Sequence, residues 1–450
     1  MANSKKSITG FSKLSKLGKI KWIVENFFKD PEVVRKELKS YWHSNEDQQK
    51  ILDGFSENTI TNFPMPYGVA PNFVINGETY CIPMVIEESS VVAAASSAAK
   101  FWMSRGGFKT TVINTEKVGQ LHFLWKGPKA LLTNNFEEIE LRLLDAVQPL
   151  IKNMKARGGG INKIDLIDKT NDLEHLYQLQ CYFETCDSMG ANFINSILEK
   201  FGSELGNYIQ VTPQLKDFAS EYEVIMAILS NYTPNCVVRA EVSCHIDQLE
   251  GVSKHFNGQE FATKFKTAVD IARIDPYRAT THNKGIYNGI DAVVLATGND
   301  FRAIEACGHS YASKDGQYRS LSYCTIDDDI FRFWLEVPLA IGTVGGLTSL
   351  HPIAKRSLEL LGNPSAAKLM QIIAATGLAQ NFGAVRSLVT TGIQRGHMRM
   401  HLMNILHQLE ATEKEIKGAL THFNTEIVSF VSVRNFLDSG RQDKEIKIVN

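Results

Sequence analysis

The chain has 450 residues, 44% hydrophobic and 22% charged, with a formal net charge of −1. That length exceeds what one hydrophobic core usually serves and predicts two or three domains of ordinary globular composition. So even a charge balance gives no support to a general affinity for nucleic acid or an anionic membrane, and any anion site has to be a local cluster.

The basic opening, MANSKKSITGFSKLSKLGKIKW, lacks the apolar run of a signal peptide, and no 18-residue apolar stretch occurs anywhere. Seven scattered cysteines (Cys81, Cys181, Cys186, Cys236, Cys244, Cys307, Cys324) form no CxxC pair. Their pattern fits reduced thiols better than a disulfide frame or a zinc site. A soluble, cytoplasmic protein is expected.

Residues 9–50 read as helical. Phe11, Leu14 and Leu17, then Ile23, Val24, Phe27 and Phe28 recur near helical spacing, with an interruption at Pro31. Lys13, Lys16, Lys19 and Lys21 make this arm locally basic, either as a solvated helix face or as a phosphate contact. Pro64, Pro66, Gly68 and Pro71 then lead into a run where Asn76-Gly77 sits between alternating apolar residues, a hairpin signal. Glu87-Glu88-Ser89-Ser90 opens an alanine-rich helix that Gly106-Gly107 ends.

Alternation at Val118, Leu121, Phe123 and Trp125 predicts a strand within 112–130. Ile139, Leu143, Leu144, Val147, Leu150, Ile151 and Met154 line one face of a long helix over 135–155, kinked at Pro149. Strands near 161–167 and 174–184 follow, then a helix opened by Asp187-Ser188-Met189-Gly190-Ala191-Asn192 and running to about Phe201. This order makes a compact α+β module, followed by a strand at 236–244. Beyond 260 the chain is helix-rich. A strand enters the loop Gly342-Thr343-Val344-Gly345-Gly346, and helices are predicted at 353–361, 365–376 and 378–390. After Thr391-Gly392 a helical tail reaches about 437.

Four places carry candidate chemistry. Glu87 and Glu88 are boxed by apolar residues, which raises a carboxyl's affinity for a proton, while the helix start beside them favours the anion; the two effects oppose each other. The small-residue turn at 187–192 lets backbone N–H groups approach an anion, as phosphate sites need, but no strand–GxGxxG–helix unit exists, so a Rossmann domain is not predicted. Within 275–300, Arg278, Lys284, Asp300 and His282 fall together with three glycines and the amides of Asn283 and Asn288. Arg offers a rigid fork for a carboxylate, Lys a compact positive charge, and Asp a group that can steer it. His397 heads the tail near Arg395, Arg399 and His401; a lone histidine is more often structural, but near a glycine break it suits a mobile acid/base group. His397 and His401 have no HExxH frame and no acidic third ligand, so no metal is expected.

Together these segments resemble the hydroxymethylglutaryl-CoA reductases of the shorter, soluble, bacterial type, from about Ile8 to about Leu437. The resemblance rests on PYGVAPNFVINGETYCIPMVIEESSVVAAAS, GGF, DSMGAN, DPYRATTHNKGIYNGIDAVVLATGND, GTVGG with HPIAK, and LAQNFGAVRSLVTTGIQRGHM, in this order. It implies reduction of 3-hydroxy-3-methylglutaryl-CoA to mevalonate and CoA by two nicotinamide hydrides, a reaction that some members run oxidatively. It implies Glu88 as proton donor, Lys284 at the oxyanion, Asp300 linking both, and His397 protonating the CoA thiolate. Arg278, Ser90 and Asn288 would hold the substrate. Asp187, Ser188, Met189, Gly190, Ala191 and Asn192 would bind NADH or NADPH.

The implied fold is α+β: a helix-rich large domain (1–111 and 233–391), an inserted ferredoxin-like, non-Rossmann nicotinamide domain (112–232) and a helical C-terminal flap (392–450). The implied assembly is a homodimer with active sites at the interface. Three departures stand out. Glu57-Asn58-Thr59-Ile60-Thr61 replaces the usual ENVIG, EESS replaces EEPS, and Ser12 rather than a basic residue follows Phe11, leaving Lys13 for the CoA phosphates. The first of these motivates an alternative, a catalytically silent homologue that binds CoA thioesters as a regulator or scaffold. Asp165, Asp168, Lys169 and Asp172, of mixed sign, are placed near the ribose end and leave the coenzyme open. In one straight helix Lys284 and Asp300 would lie roughly 24 Å apart, so their shared site requires a break at Gly289 or Gly298.

Overall fold

Three helices lead the chain: α1 (Lys16–Phe27), α2 (Pro31–Ser40) and α3 (Glu46–Asp53). The structure, a computed structural model, describes residues 7–253, 256–390, 392, 402–423 and 426–448. Pro31 starts α2 at a position where its missing N–H costs no hydrogen bond. In the basic arm Lys16 is used internally, paired with Asp53 at 2.6 Å and lying over the Trp42 ring.

The predicted hairpin is β1 (Tyr67–Ile75) paired antiparallel with β2 (Glu78–Val85). Its turn residues Asn76 and Gly77 both have positive φ (50° and 86°), the backbone that a tight hairpin with right-handed strand twist demands. Helix α4 (Ser89–Met103) packs on β1 and leads into β3 (Lys109–Val112).

A separate module follows: β4 (Lys117–Trp125), α5 (Lys129–Asn134), α6 (Phe136–Ala146), α7 (Gln148–Lys155), β5 (Gly160–Asp168), β6 (Leu176–Glu184), α8 (Ala191–Val211) and β7 (Tyr222–Leu229). Its antiparallel sheet has the order β5-β6-β4-β7. A β-α-β-β-α-β chain in this order has ferredoxin-like topology. Its core, with Leu121, Phe123, Phe183, Ile194 and Phe201, is distinct from the main one. The single kinked helix expected over 135–155 is two helices broken at Val147, because Pro149 cannot supply the interior N–H and restarts the helix in its first turn. The helix expected to end near Phe201 continues to Val211.

The chain then returns to the first layer through β8 (Val237–His245), α9 (Gly258–Ile274), α10 (Pro276–Ala296), α11 (Phe301–Ala312), β9 (Ser322–Asp327) and β10 (Ile330–Pro338). The second sheet has the order β3-β8-β10-β9, antiparallel throughout. After the glycine loop come α12 (Leu347–Leu350), α13 (Pro352–Leu360) and α14 (Ala366–Val389). The main core lies between this sheet, the hairpin, α4, α9, α10 and α14, with Trp102, Phe265, Phe331 and Phe382 in mutual ring contact.

The two helices expected over 365–390 are one. Gly377 stays inside it because the missing side chain admits Ile290 of α10, and Gly289 of α10 in turn faces the Thr376 carbonyl. Gly289 is therefore a packing notch and does not break α10. The break comes at Gly298 (φ 72°), where the chain turns against Leu347 and Thr348.

The tail carries helix at 402–408 and the helices Glu413–His422 and Phe430–Ile448, joined by a small apolar cluster of Leu402, Leu406, Phe423 and Val433. His397, with Arg395, Arg399 and His401, lies outside the described residues. No described helix is long and apolar enough to cross a membrane.

Candidate active site

Helices α4, α10 and α14 enclose a cavity of about 380 Å³. Glu88 is the N-cap of α4, but its carboxylate caps no backbone N–H there. Its Oε2 accepts from Lys284 Nζ at 3.0 Å and its Oε1 from Ser90 Oγ at 3.2 Å. The Lys284 side chain is 64% exposed and that of Glu88 32%, so the pair is screened and worth little to stability. Its placement at a cavity mouth suits chemistry better than it suits folding.

Arg278, six residues before Lys284 on α10, also lines the cavity. It is half-buried, has no carboxylate partner among the described residues, and burial lowers its pKa. A half-buried guanidinium without an anionic partner is costly, so this end of the cavity suits an anion such as a carboxylate. Asn288 lines the same wall. Asn283 does not share it. This amide is fully buried, donates to the Arg319 carbonyl at 2.9 Å and accepts from the Leu321 N–H at 3.0 Å, so its role is structural.

Two lining residues went unread in the sequence, Gln380 and Asn381 of α14. Both are almost fully buried, and Gln380 Oε1 has no hydrogen-bond partner among the described residues. A buried acceptor at a cavity wall calls for a donor from a ligand, such as a hydroxyl. The available signal was a polar pair inside the otherwise apolar run from Leu378 to Val385.

A second concavity, a groove of about 870 Å³, runs between α7, α8, α11 and the glycine loop. Ser188, Met189, Gly190, Ala191 and Asn192 line it, with Asp300, Arg302 and residues from Gly342 to Thr348. Gly190 (φ 91°) caps α8, a 21-residue helix whose first N–H groups open onto the groove. Asp187 behaves differently from its neighbours. Its Oδ1 accepts from the Ala366 N–H at 2.7 Å and its carbonyl from the Thr343 N–H at 2.9 Å, so it ties the turn to α14 and to the glycine loop and does not line the groove. At Gly342 any Cβ would collide with the Met189 N–H, so the two glycine-bearing loops, separate in sequence, close on each other as one site.

Asp300 sits at the groove, not in the cavity. It caps α11 and pairs with Arg302 at 2.9 Å. Burial alone would raise its pKa, but the Arg302 hydrogen bonds and the helix N–H groups outweigh this and lower it. From Lys284 to the end of α10 is twelve residues, about 18 Å of helix, and the Gly298 turn then leads away into α11. The expected meeting of Lys284 and Asp300 within one chain is therefore not made. The residues placed near the ribose end also stand elsewhere: Asp168 pairs with Lys129, Asp165 with Lys163 and Asp172 with Lys169, and none lines the groove. Asn153, Met154 and Arg157 line the groove on the side of α7.

Comparison with known proteins now decides the family. The profile described as hydroxymethylglutaryl-coenzyme A reductase matches residues 21–402. The chain belongs to that family. It is 36% identical over 418 residues to the 3-hydroxy-3-methylglutaryl-coenzyme A reductase of Archaeoglobus fulgidus, covering 91% of this chain and 88% of the relative. Among solved structures it is similar to the class II 3-hydroxy-3-methylglutaryl-CoA reductase of Streptococcus pneumoniae bound to NADPH, with 34% identity, TM-score 0.67, and coverage of 85% of this chain and 100% of that one. A second structure of the Streptococcus pneumoniae reductase gives 32% identity and TM-score 0.68, covering 96% of this chain and 99% of that one. The mixed helix and antiparallel-sheet fold of this reductase-family chain agrees with those matches.

Proposed function

We propose that the chain interconverts 3-hydroxy-3-methylglutaryl-CoA and mevalonate plus CoA, using two equivalents of a nicotinamide dinucleotide. The observation that carries this reading is the Glu88–Lys284 contact at a cavity that also holds Arg278, which has no carboxylate partner among the described residues. Arg278, with Ser90 and Asn288, takes the substrate's free carboxylate, and the Gln380 acceptor suits its tertiary hydroxyl. Lys284 would face the thioester carbonyl oxygen, where a preplaced positive charge stabilises the negative charge that develops on that oxygen when hydride adds to the carbonyl carbon. Glu88, in contact with Lys284, delivers the proton that makes the thiohemiacetal. The thiohemiacetal hydroxyl then returns its proton to Glu88 as the C–S bond breaks, giving the aldehyde and the CoA thiolate, which takes a proton from His397. A second hydride and proton reduce the aldehyde to the alcohol.

The groove would hold the dinucleotide, with the N–H groups at the start of α8 and the turn Ser188–Asn192 available to its phosphates. The module at 112–232 would be the coenzyme domain, inserted into a substrate domain, with 392–450 as the flap. One subunit separates the Lys284 cavity from the Asp300 groove, so a homodimer that places one copy's groove over its partner's cavity completes the site. Asp300, held ionised by Arg302, would then tune Lys284 and Glu88 across the interface. The cations on the groove wall are Arg157 and Arg302, and Arg302 already neutralises Asp300. This balance favours the extra phosphate of NADPH over NADH.

Nothing in the changed 57–61 segment favours the silent-homologue reading. Thr59 and Thr61 bond the Ser56 and Leu38 carbonyls within the chain, and the Glu88–Lys284 pair is assembled. The deciding experiment follows the absorbance of the reduced nicotinamide with the thioester and either coenzyme, and in reverse with mevalonate, CoA and the oxidised forms. Turnover supports the proposal. Binding of CoA thioesters without turnover in either direction would turn it to the scaffold reading.

A further inference from the structure

The charge cluster on α10 contains one residue that the chemistry above leaves unused. His282 is one turn beyond Arg278 and 1% exposed, yet it borders the cavity. Its Nε2 lies 2.6 Å from Ser322 Oγ of β9, and its Nδ1 lies 3.5 Å from Arg278 Nη2. The Ser322 hydroxyl has one proton, and this is donated to Asn381 Oδ1 of α14 at 2.8 Å. Ser322 Oγ must therefore accept from the ring, which places the imidazole proton on Nε2 and leaves the Nδ1 lone pair facing the guanidinium.

The opposite tautomer would set an N–H against an N–H of Arg278 and a lone pair against the Ser322 oxygen. The protonated ring would add a second positive charge beside Arg278 in a buried place. Burial first, and the Arg278 charge second, push the imidazole down to about 3, so the ring is neutral throughout the physiological range. Among the described residues the only charged group hydrogen-bonded to it is Arg278, and the Asn381 amide is a further hydrogen-bond partner of the ring. The bonds run one way, from Arg278 through His282 and Ser322 to Asn381, and join α10 to β9 and α14.

We propose that His282 is a positioning residue: its neutral ring, with the proton locked on Nε2, holds the Arg278 guanidinium in the direction a substrate carboxylate needs. The inference rests on the carboxylate-binding reading of the cavity, and it extends that reading to a residue that never touches substrate. An acceptor on one edge of the fork keeps the other N–H groups turned to the cavity. An apolar residue at 282 would leave the fork free to rotate and Ser322 without its donor.

The test uses the full chain and three readouts. Binding of 3-hydroxy-3-methylglutarate, the free diacid, is measured by calorimetry in the wild type, His282→Leu, His282→Asn and Arg278→Ala. His282→Leu is expected to weaken binding about tenfold, the scale of one hydrogen bond to a charged group. His282→Asn, whose Oδ1 overlies Nδ1, should recover most of that loss. His282→Leu in the Arg278→Ala background should add nothing. In turnover the loss should fall on KM for the thioester, with kcat within about twofold, because the carboxylate contact is alike in ground and transition states.

The third readout, histidine ¹⁵N spectroscopy of the wild type, should show an Nε2–H ring that does not titrate between pH 5 and 8. Equal losses in the Leu and Asn variants, additivity with Arg278→Ala, an Nδ1–H tautomer or a titration near pH 6.5 would each overturn the proposal. A wild type that binds the diacid without turning over the thioester would refute the reductase reading and leave this one standing.

Discussion

The cavity presents charged and amide side chains carried on three helices, whereas the groove presents mainly backbone: the start of α8, a left-handed glycine and a second loop pressed against the first. In the cavity each group has a nameable task, and an exchange of one side chain alters one task. In the groove many of the donors are peptide N–H groups that every sequence has, with Arg157 and Arg302 as its cationic side chains, so part of the specificity lies in which residues lack a side chain. The difference separates two ways of failing. A cavity variant is expected to fold and bind coenzyme while losing chemistry; a groove variant is expected to lose coenzyme while the thioester still binds.

The largest effect should come from Lys284→Ala. Removing an oxyanion-stabilising charge is expected to lower kcat by at least about 10²–10³-fold. Circular dichroism and the unfolding midpoint should stay near those of the wild type, because an exposed ion pair contributes about 0–1 kcal/mol. A comparable fall in stability would instead make the pair structural and erase the contrast. Gly342→Ala tests the other side. A methyl group forced against the Met189 N–H should part the two loops and weaken coenzyme binding by tens-fold, on the order of 2 kcal/mol for an overpacked contact. CoA affinity, measured by calorimetry, should not change. Parallel loss of both ligands would mean that cavity and groove are one cooperative unit.

Arg157→Ala is a finer probe. The ratio of kcat/KM for NADPH to that for NADH should fall about tenfold, as expected for one charge-assisted contact. An unchanged ratio would remove Arg157 from the coenzyme site.

The last effect is on stability and not on the reaction, and it concerns α10. Asp291 has its pKa raised, by burial first and by the neighbouring Glu305 second. The folded chain thus keeps this proton to higher pH than the unfolded chain, whose carboxyl titrates near about 4. Stability contributed by the neutral form is complete below that value and is lost as pH rises through the raised folded pKa. Asp291→Asn should flatten this decline in the melting temperature above pH 4. A decline that persists in the variant would place the titration elsewhere.

Much of this was legible in the residues because local rules wrote it. Asn76-Gly77 announced the hairpin by needing two positive φ angles, and the alternation at Val118 to Trp125 with the glycine stop after Arg157 outlined the ferredoxin-like module. Pro149 split one helix for a local reason, but three other misreadings share a different cause, a partner far away in the chain. Gly377 looks like a helix break until Ile290 of α10 is seen to occupy its space. Asn283 looks like a pocket amide until Arg319 and Leu321 are seen to satisfy it. Asp300 looks like a neighbour of Lys284 in sequence, but an unbroken α10 carries it to the groove. Family resemblance named the groups, and only the three-dimensional placement divided them between two concavities.

The glycine notch between α10 and α14 has a further consequence. With Gly289 against the Thr376 carbonyl and Gly377 against Ile290, neither helix has room to slide or roll on the other. Helix α10 therefore acts as a gauge block, with Arg278 near its start, Lys284 toward its middle and the turn to Asp300 beyond its end. One inserted residue after Gly289 would rotate everything beyond it by about 100° and advance it by about 1.5 Å. The length of this helix is thus as much a part of the proposed reaction centre as any side chain on it. Evolution could change the residues around the two concavities one at a time, but it could not easily change the distance between them.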